Sequence, residues 1–333
     1  MSDSVGMIPV YRSVKEIPVR FGPSVGVVGN FDGVHLGHRK ILDAVVEEAR
    51  GLEARGMRSV AITFDPHPEQ FLRPAEAPRL LTPIAERVRQ LAATGIDAVL
   101  VLPFDAKLAG LSAREFVREI LVEALGVLSV HEGGNFRFGY CAGAGVMELK
   151  ELGAEFGFAV HVHQAVRVHG MEVSSSAIRA LLAAGDVRQA RWMLGRPFGV
   201  CSTQARGRGI GTRLQAPTIN LAPYEGLLPG FGVYVTRLTV GGRCFKAVTN
   251  VGNRPTFGGA GFAVESHILD FEPVDHPTDE DRSAGTPVDL NEGTPIELEF
   301  LARLRPEVKW SSPEALKEQI FKDVARAKRY FRL

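Results

Sequence analysis

The chain has 333 residues, 45% hydrophobic and 23% charged, with a formal net charge of +1. That length allows two domains with separate cores, and the near-neutral balance gives no general pull towards nucleic acid or an anionic membrane. Its three cysteines, Cys141, Cys201 and Cys244, contain no C-x-x-C pair, so neither a disulfide framework nor a zinc finger is indicated. There is no signal-peptide pattern and no apolar run of roughly 18 residues, which predicts a cytoplasmic protein without a membrane partner.

The first strong feature is Gly29-Asn30-Phe31-Asp32-Gly33-Val34-His35-Leu36-Gly37-His38. It follows an apolar run at residues 25–28 and leads into residues 39–49, where apolar positions recur at helical spacing. The expected order is strand, glycine turn, helix. Such a turn lets a ligand approach the backbone, and a helix N-terminus offers unpaired N–H groups to phosphate. His35 and His38 are placed to face one ligand; an ordinary tight turn with two surface histidines is the simpler alternative. Neither a G-x-G-x-x-G fingerprint nor a P-loop occurs, which argues against a dehydrogenase or a P-loop kinase.

Alternation continues along the first half. Residues 58–64, 98–102, 127–131 and 159–163 read as strands, and 84–93, 112–125 and 147–156 as helices, with Ser112 and Glu115 in capping-box register. This predicts an α/β Rossmann-like domain with a parallel sheet over residues 1–184. From residue 185 the pattern changes to short strands, at 232–240, 243–248, 264–271 and 297–303, with Gly241-Gly242 as a hairpin turn. A final helix opens at Ser312-Pro313-Glu314. A small antiparallel β-barrel with a C-terminal helix is expected over 185–333. Residues 273–295, rich in Asp, Glu, Thr, Pro and Gly, read as a mobile loop.

Three further segments of the first half fall where ligands bind parallel sheets, after the carboxyl ends of strands. They are Thr63-Phe64-Asp65-Pro66-His67-Pro68, Gly133-Gly134-Asn135-Phe136-Arg137-Phe138-Gly139 and Ser174-Ser175-Ser176-Ala177-Ile178-Arg179. Taken singly, the serines are a plain helix cap and the phenylalanines ordinary core. The second half contains Gly207-Arg208-Gly209-Ile210-Gly211-Thr212-Arg213, Pro217-Thr218-Ile219-Asn220, Asn250-Val251-Gly252-Asn253-Arg254-Pro255 and Val264-Glu265-Ser266-His267-Ile268-Leu269-Asp270. His161 and His163 share a strand face, but no third metal ligand sits at recognisable spacing, so ordinary surface or core histidines are expected.

These motifs, in this order over residues 15–331, resemble the prokaryotic bifunctional riboflavin kinase/FAD synthetases, whose first half carries the H-x-G-H adenylyltransferase signature. The resemblance implies phosphorylation of riboflavin to FMN by ATP in the second half. It also implies adenylylation of FMN to FAD, with release of pyrophosphate, in the first. It gives His35 and His38 the ATP phosphates, as hydrogen-bond donors, within the loop of Gly29, Asn30, Phe31, Gly33 and Gly37. It assigns charge-assisted phosphate contacts to Ser174, Ser175, Ser176 and Arg179, and flavin and nucleotide contacts to Asp65, Asn135, Phe136 and Arg137. In the kinase half, Gly209 and Gly211 would cradle phosphate, and Glu265 would be the general base. Thr218 and Asn220 offer hard oxygens suited to Mg²⁺, and Arg305 would hold the flavin end or close the loop.

Departures from the family pattern are few. Asn135 stands where relatives often have aspartate, Ser176 where they have threonine, Ile219 where they have alanine, and Leu214-Gln215-Ala216 where Leu-Gly-Phe is common. They bear on affinity more than on chemistry. The rival readings are a monofunctional adenylyltransferase with an inactive barrel and a flavin-binding regulator. The expected partners are riboflavin, FMN and ATP with Mg²⁺, and no nucleic acid; homo-oligomer formation stays open.

Overall fold

The computed structural model describes residues 8–19, 21–52, 56–205, 218–240, 242–256, 259–269, 293–308 and 310–332, with backbone alone at 253–256, 259–262 and 313. The chain divides into two compact units, Met1–Ser175 and Ser176–Leu333.

The first unit is built on six parallel strands. Their order is β1 (Val10–Tyr11), β4 (Ala98–Pro103), β3 (Arg58–Asp65), β2 (Ser24–Val28), β5 (Val127–Gly133) and β8 (Ala159–His163). The central strands are apolar on both faces because helices cover both. Val25, Val27, Ala61, Val99 and Val101 pack on one side with Leu42, Val45 and Val46 of α1 (Leu36–Gly51) and Leu91 of α3 (Ile84–Ala92). Val28, Val60, Ile62, Leu100, Leu102 and Val130 pack on the other with Phe116, Val117, Ile120 and Leu149. Successive residues of one strand thus serve two cores. The short α2 (Pro68–Leu72) and α4 (Ala106–Ala109) follow β3 and β4.

The capping box expected at Ser112 is present: Glu115 N–H donates to Ser112 Oγ at 3.2 Å and Ser112 N–H to Glu115 Oε2 at 2.9 Å. It opens α5 (Ala113–Phe116), which continues as a π-helical stretch, Val117–Ala124. The chain then adds β5 and the edge strand β8 to the sheet, with the helix α6 (Val146–Phe156) between them, and forms two small separate hairpins, β6–β7 (Arg137–Phe138, Ala144–Gly145) and β9–β10 (Arg167–Val168, Met171–Glu172). Strand order reverses between β2 and β5, so the crevice above their carboxyl ends is the topological switch point of the sheet.

Helix α7 (Ser175–Ala183) begins at the last residue of the first unit. A helix not foreseen from sequence follows, α8 (Val187–Leu194), capped by Asp186 at one end and by left-handed Gly195 at the other. The second unit then closes an antiparallel barrel. Its order is β11 (Phe198–Ala205), β12 (Thr218–Leu221), β15 (Gly259–Ile268), β14 (Arg243–Thr256), β13 (Gly232–Val240) and β16 (Pro295–Pro306). The hairpin of β14 and β15 is longer than the alternating apolar runs suggested, with paired register out to Thr256 and Gly259. Tyr234, Thr236, Leu238, Ala247, Thr249, Val251, Ser266 and Phe300 fill the interior, each fully buried. Their one hydrophilic thread is a chain of hydroxyls, Thr236 to Thr249 at 2.7 Å and Thr249 to Ser266 at 2.8 Å, which satisfies itself. The last helix, α9 (Pro313–Arg332), covers Val233, Val235, Val248 and Leu301 with Val324 and Ala327. Gly209, Gly211, Gln215, Ala216, Pro217, Gly241 and all but the last residues of the 273–295 segment lie outside the described residues.

Candidate active sites

At the switch point the H-x-G-H segment folds as expected, with α1 starting directly after His35. The turn before it is strained: Phe31 and Val34 have φ of 47° and 36°, and Gly33 takes 87° without penalty. Buried hydrogen bonds hold it in that shape. The Asp32 carboxylate accepts the N–H groups of Leu81 (3.0 Å) and Thr82 (2.9 Å). Thr82 Oγ1 in turn accepts the Gly33 N–H at 3.0 Å. Ser175 Oγ donates to the Asp32 carbonyl at 2.8 Å, which brings the serine segment against the histidine loop.

His35 is buried and caps α1, its Nδ1 accepting the His38 N–H at 3.3 Å. A neutral His35 therefore carries its proton on Nε2. The two imidazoles stack with centroids 3.6 Å apart and planes 15° apart, and Phe31 meets His38 edge-on at 5.2 Å. Gly37 makes this stack possible, since a Cβ there would lie 3.1 Å from the His35 ring. Burial first, then the neighbouring His35 and Arg87, hold His38 well below the usual histidine range. It is neutral at pH 7. Its Nδ1 is buried and has no hydrogen-bond partner among the described residues, a polar atom left for a ligand.

Arg87 was not picked out in sequence. It sits in the apolar stripe of α3, between Ile84 and Leu91, and that misplaced charge was the available signal. Only 1% exposed, it donates to Phe64 O (3.2 Å), Thr63 Oγ1 (3.4 Å) and Thr82 O (3.4 Å). Thr63 Oγ1 itself donates to Asn30 O at 3.2 Å. Arg87 thus ties the ends of β2 and β3 to the loop carrying Thr82. Glu132 is a second omission: fully buried on β5, it accepts the Val28 N–H at 2.8 Å, and burial raises its carboxyl well above the ordinary range.

Other expected residues divide into two groups. Asp65 and Asn135 are exposed at the carboxyl ends of β3 and just after β5. Phe136 stacks on Phe138 at 5.3 Å. The Arg137 guanidinium is engaged by its own hairpin, donating to Ala142 O (3.0 Å) and Gly143 O (3.3 Å). Ser174 is half-buried beside Ser175, whereas Ser176 and Arg179 belong to the second unit.

In the barrel, strand register assembles the second constellation. Asn220 lies directly opposite Glu265, which lies directly opposite Asn250, and Thr218 is opposite His267. Opposed residues share a face. Ile219, Ser266 and Thr249 fill the interior face, so Thr218, Asn220, Glu265 and Asn250 stand together on the other one. Asn250, at the head of the Asn250-Val251-Gly252 segment, joins this row through register that sequence alone does not reveal. Arg305 is held by the last helix: Nε donates to Asp323 Oδ2 of α9 at 2.9 Å, and its guanidinium lies 5.4 Å from the Trp310 ring centre.

Comparison with known proteins agrees with this division. The family model for FAD synthetase matches residues 20–177, and that for riboflavin kinase matches residues 194–331. The bifunctional riboflavin kinase/FMN adenylyltransferase of Pseudomonas fluorescens is 37% identical over 306 residues, 91% of this chain and 92% of that protein. The Escherichia coli K12 protein of the same description is 33% identical over 307 residues, 92% of each chain. A solved structure named as a macrolide-efflux protein from Streptococcus pneumoniae aligns with a TM-score of 0.82 at 26% identity, covering 96% of this chain and 98% of that one. Among the described residues of the present chain, no helix is long and apolar enough to cross a membrane. With the FAD synthetase model matching its first part, the riboflavin kinase model its second, and bifunctional relatives aligned over nine-tenths of its length, the chain belongs to the bifunctional riboflavin kinase/FMN adenylyltransferase family.

Proposed function

We propose that the two activities are divided between the units, with riboflavin phosphorylated on the outer face of the barrel and FMN adenylylated above the parallel sheet. The observation that carries the first-site reading is the orphaned, buried Nδ1 of a neutral His38 stacked on His35. Two imidazoles fixed this way offer hydrogen bonds to the phosphates of ATP without adding a nucleophile. The FMN phosphate oxygen then bonds to the α-phosphorus, the bond to the β-phosphate bridge breaks, and pyrophosphate leaves. Positioning of this kind supplies about 7–11 kcal/mol of barrier reduction, and donors aimed at the developing charge add to it. Ser174 and the flavin-side residues Asp65, Asn135 and Phe136 complete the reading. Arg137 enters it by shaping the 139–143 turn as well as by its charge.

In the barrel, Glu265 takes the proton of the ribityl 5′-hydroxyl as that oxygen attacks the γ-phosphorus, and ADP leaves. Thr218 and Asn220, two residues apart on one strand face, provide hard oxygen donors, a set that fits Mg²⁺ and not a soft metal. When bound there, Mg²⁺ supplies charge neutralisation for the transferring phosphate. Asn250 orients the Glu265 carboxylate from the neighbouring strand. Location in the cytoplasm follows from the reading itself, because ATP is the co-substrate of both steps.

The test is a time course of purified protein with riboflavin, ATP and Mg²⁺, with flavins resolved by chromatography. FMN should appear first and FAD second. His38→Ala should stop the sequence at FMN, while Glu265→Gln should block FMN formation yet leave FAD formation from supplied FMN. Equal loss of both steps in either folded variant would overturn the division.

A further inference from the structure

Away from both sites, the first unit brings together four side chains that sequence spacing keeps apart. Parallel pairing of β5 with the edge strand β8 sets His131 directly opposite His161, and Gly133 opposite His163. All three imidazoles therefore share one face, and α1 lays Glu48 over it. Glu48 Oε2 lies 2.6 Å from His131 Nε2 and 3.7 Å from His161 Nε2. One donor atom from each of these three residues lies within 4.8 Å of the others. On the far side of the ring, His131 Nδ1 is 3.0 Å from His163 Nε2.

We propose that Glu48, His131 and His161 bind one divalent transition-metal ion of the zinc class, with His163 as the positioning residue that fixes the His131 ring. The donor set, two imidazole nitrogens and a carboxylate oxygen, is the kind that holds Zn²⁺ with a solvent molecule in the fourth place. Tetrahedral ligands at about 2.0–2.2 Å from zinc stand roughly 3.4 Å from each other, so the two Glu48 contacts need adjustments of under about 1 Å, and the two imidazole nitrogens, within 4.8 Å of each other, at most about 1.4 Å. The 2.6 Å contact between Glu48 Oε2 and His131 Nε2 holds one shared proton, whichever atom carries it, and the metal takes the place of that proton. The contact at Nδ1 is the second feature expected of a metal-binding histidine, whose other nitrogen is held by a neighbouring polar group. Exposure also fits. The His131 side chain is 6% exposed and Glu48 27%, but His161 is 51% exposed, which leaves an entry path and room for the solvent ligand.

A row of histidines on an edge strand would need no such arrangement merely to discourage strand pairing, since exposed charge alone does that. Here the one buried imidazole is bracketed by polar atoms at both nitrogens. The site is also remote from the adenylylation chemistry. Glu48 is ten residues beyond His38 on the same helix, about 15 Å along its axis. Occupancy would pin β8 to α1 and β5, the strand that leads into the Asn135 loop.

The test uses tag-free, full-length protein stripped with a chelator, titrated with Zn²⁺ by calorimetry and with Co²⁺ by visible absorption. One high-affinity equivalent of zinc is expected, with the intense d–d bands of four-coordinate cobalt. The doubly substituted E48Q/H161A protein should bind at least a hundredfold more weakly and lose those bands. H163A should weaken binding about tenfold or more while keeping the stoichiometry. Folding of each variant is checked by circular dichroism, and neither change touches the core. Failure of the wild-type protein to bind a stoichiometric ion at micromolar zinc would overturn the proposal. So would equal binding by wild type and E48Q/H161A, which would place the ion on other histidines or cysteines.

Discussion

In the first unit the site is held by a net of buried hydrogen bonds, in which Asp32, Thr82, Arg87 and Ser175 fix the loop that carries His35 and His38. In the barrel, Asn220, Glu265 and Asn250 are aligned by strand register, while the buried hydroxyl chain of Thr236, Thr249 and Ser266 closes on itself behind them. The contrast separates two ways of building a phosphate-transfer site. One makes the supports of the functional groups part of the structure, so that changing those supports disturbs the fold. The other mounts them on a face that the core does not need.

The largest effects should therefore appear where fold and chemistry are least coupled. Glu265→Gln removes the proposed base from a half-buried position, and riboflavin phosphorylation should fall about 10²–10⁴-fold. Its melting temperature should stay within about 1 °C of wild type, because surface changes of this kind cost under about 0.5 kcal/mol. A matching loss of stability would show that the barrel face is structural after all. His38→Ala comes next. Adenylylation of supplied FMN should fall about 10²–10³-fold, the usual cost of one lost donor to developing charge. Riboflavin phosphorylation measured in the same sample checks that the defect is local.

Arg87 tests the opposite coupling. Arg87→Met keeps the apolar stem but strands the Phe64 and Thr82 carbonyls that the guanidinium satisfies. Hydrogen bonds to a charged group are each worth about 1.5–3 kcal/mol, so the loss of these two should cost about 3–6 kcal/mol of stability in urea denaturation. Adenylylation should decline with it although Arg87 is never given a ligand. A variant as stable as wild type yet unable to form FAD would move Arg87 from support to chemistry.

Much of this was legible in the residues. The H-x-G-H segment announces a strand, a turn and a helix because a short continuous apolar run and a period-3.6 apolar pattern flank a glycine-rich break. The barrel was legible as short strands with glycine turns, and Ser112 marked its helix through a local capping rule. What stayed hidden depends on contacts distant in sequence. The structural role of Asp32 becomes visible only when Leu81 and Thr82, 49 and 50 residues on, bring it their N–H groups. Asn250 joins Glu265 only through strand register, and the pairing of Arg305 with Asp323 of α9 is likewise invisible until the fold brings them together. Helix α8 was overlooked although Asp186 and Gly195 bracket it as caps, a signal masked by the change of pattern at the same place.

The smallest effect, and the most specific, concerns Glu132. Its carboxyl is buried beside the end of β2, and burial raises its folded value well above that of an exposed glutamate. A raised carboxyl favours the native state fully at pH below about 4.5, where both states are protonated. As pH rises from there, the unfolded chain releases its proton first, and native stability falls until the raised folded value is passed. Glu132→Gln keeps an oxygen for the Val28 N–H and has no proton to release. The variant should match wild type near pH 4.5 and exceed it near pH 8, by about 1 kcal/mol or more, as read from urea midpoints across that range. A difference that stays constant with pH would mean that packing, and not ionisation, separates the two side chains. Because the Val28 contact leads straight into the histidine turn, adenylylation by the variant also reports whether the site needs an ionisable carboxyl or only the hydrogen bond.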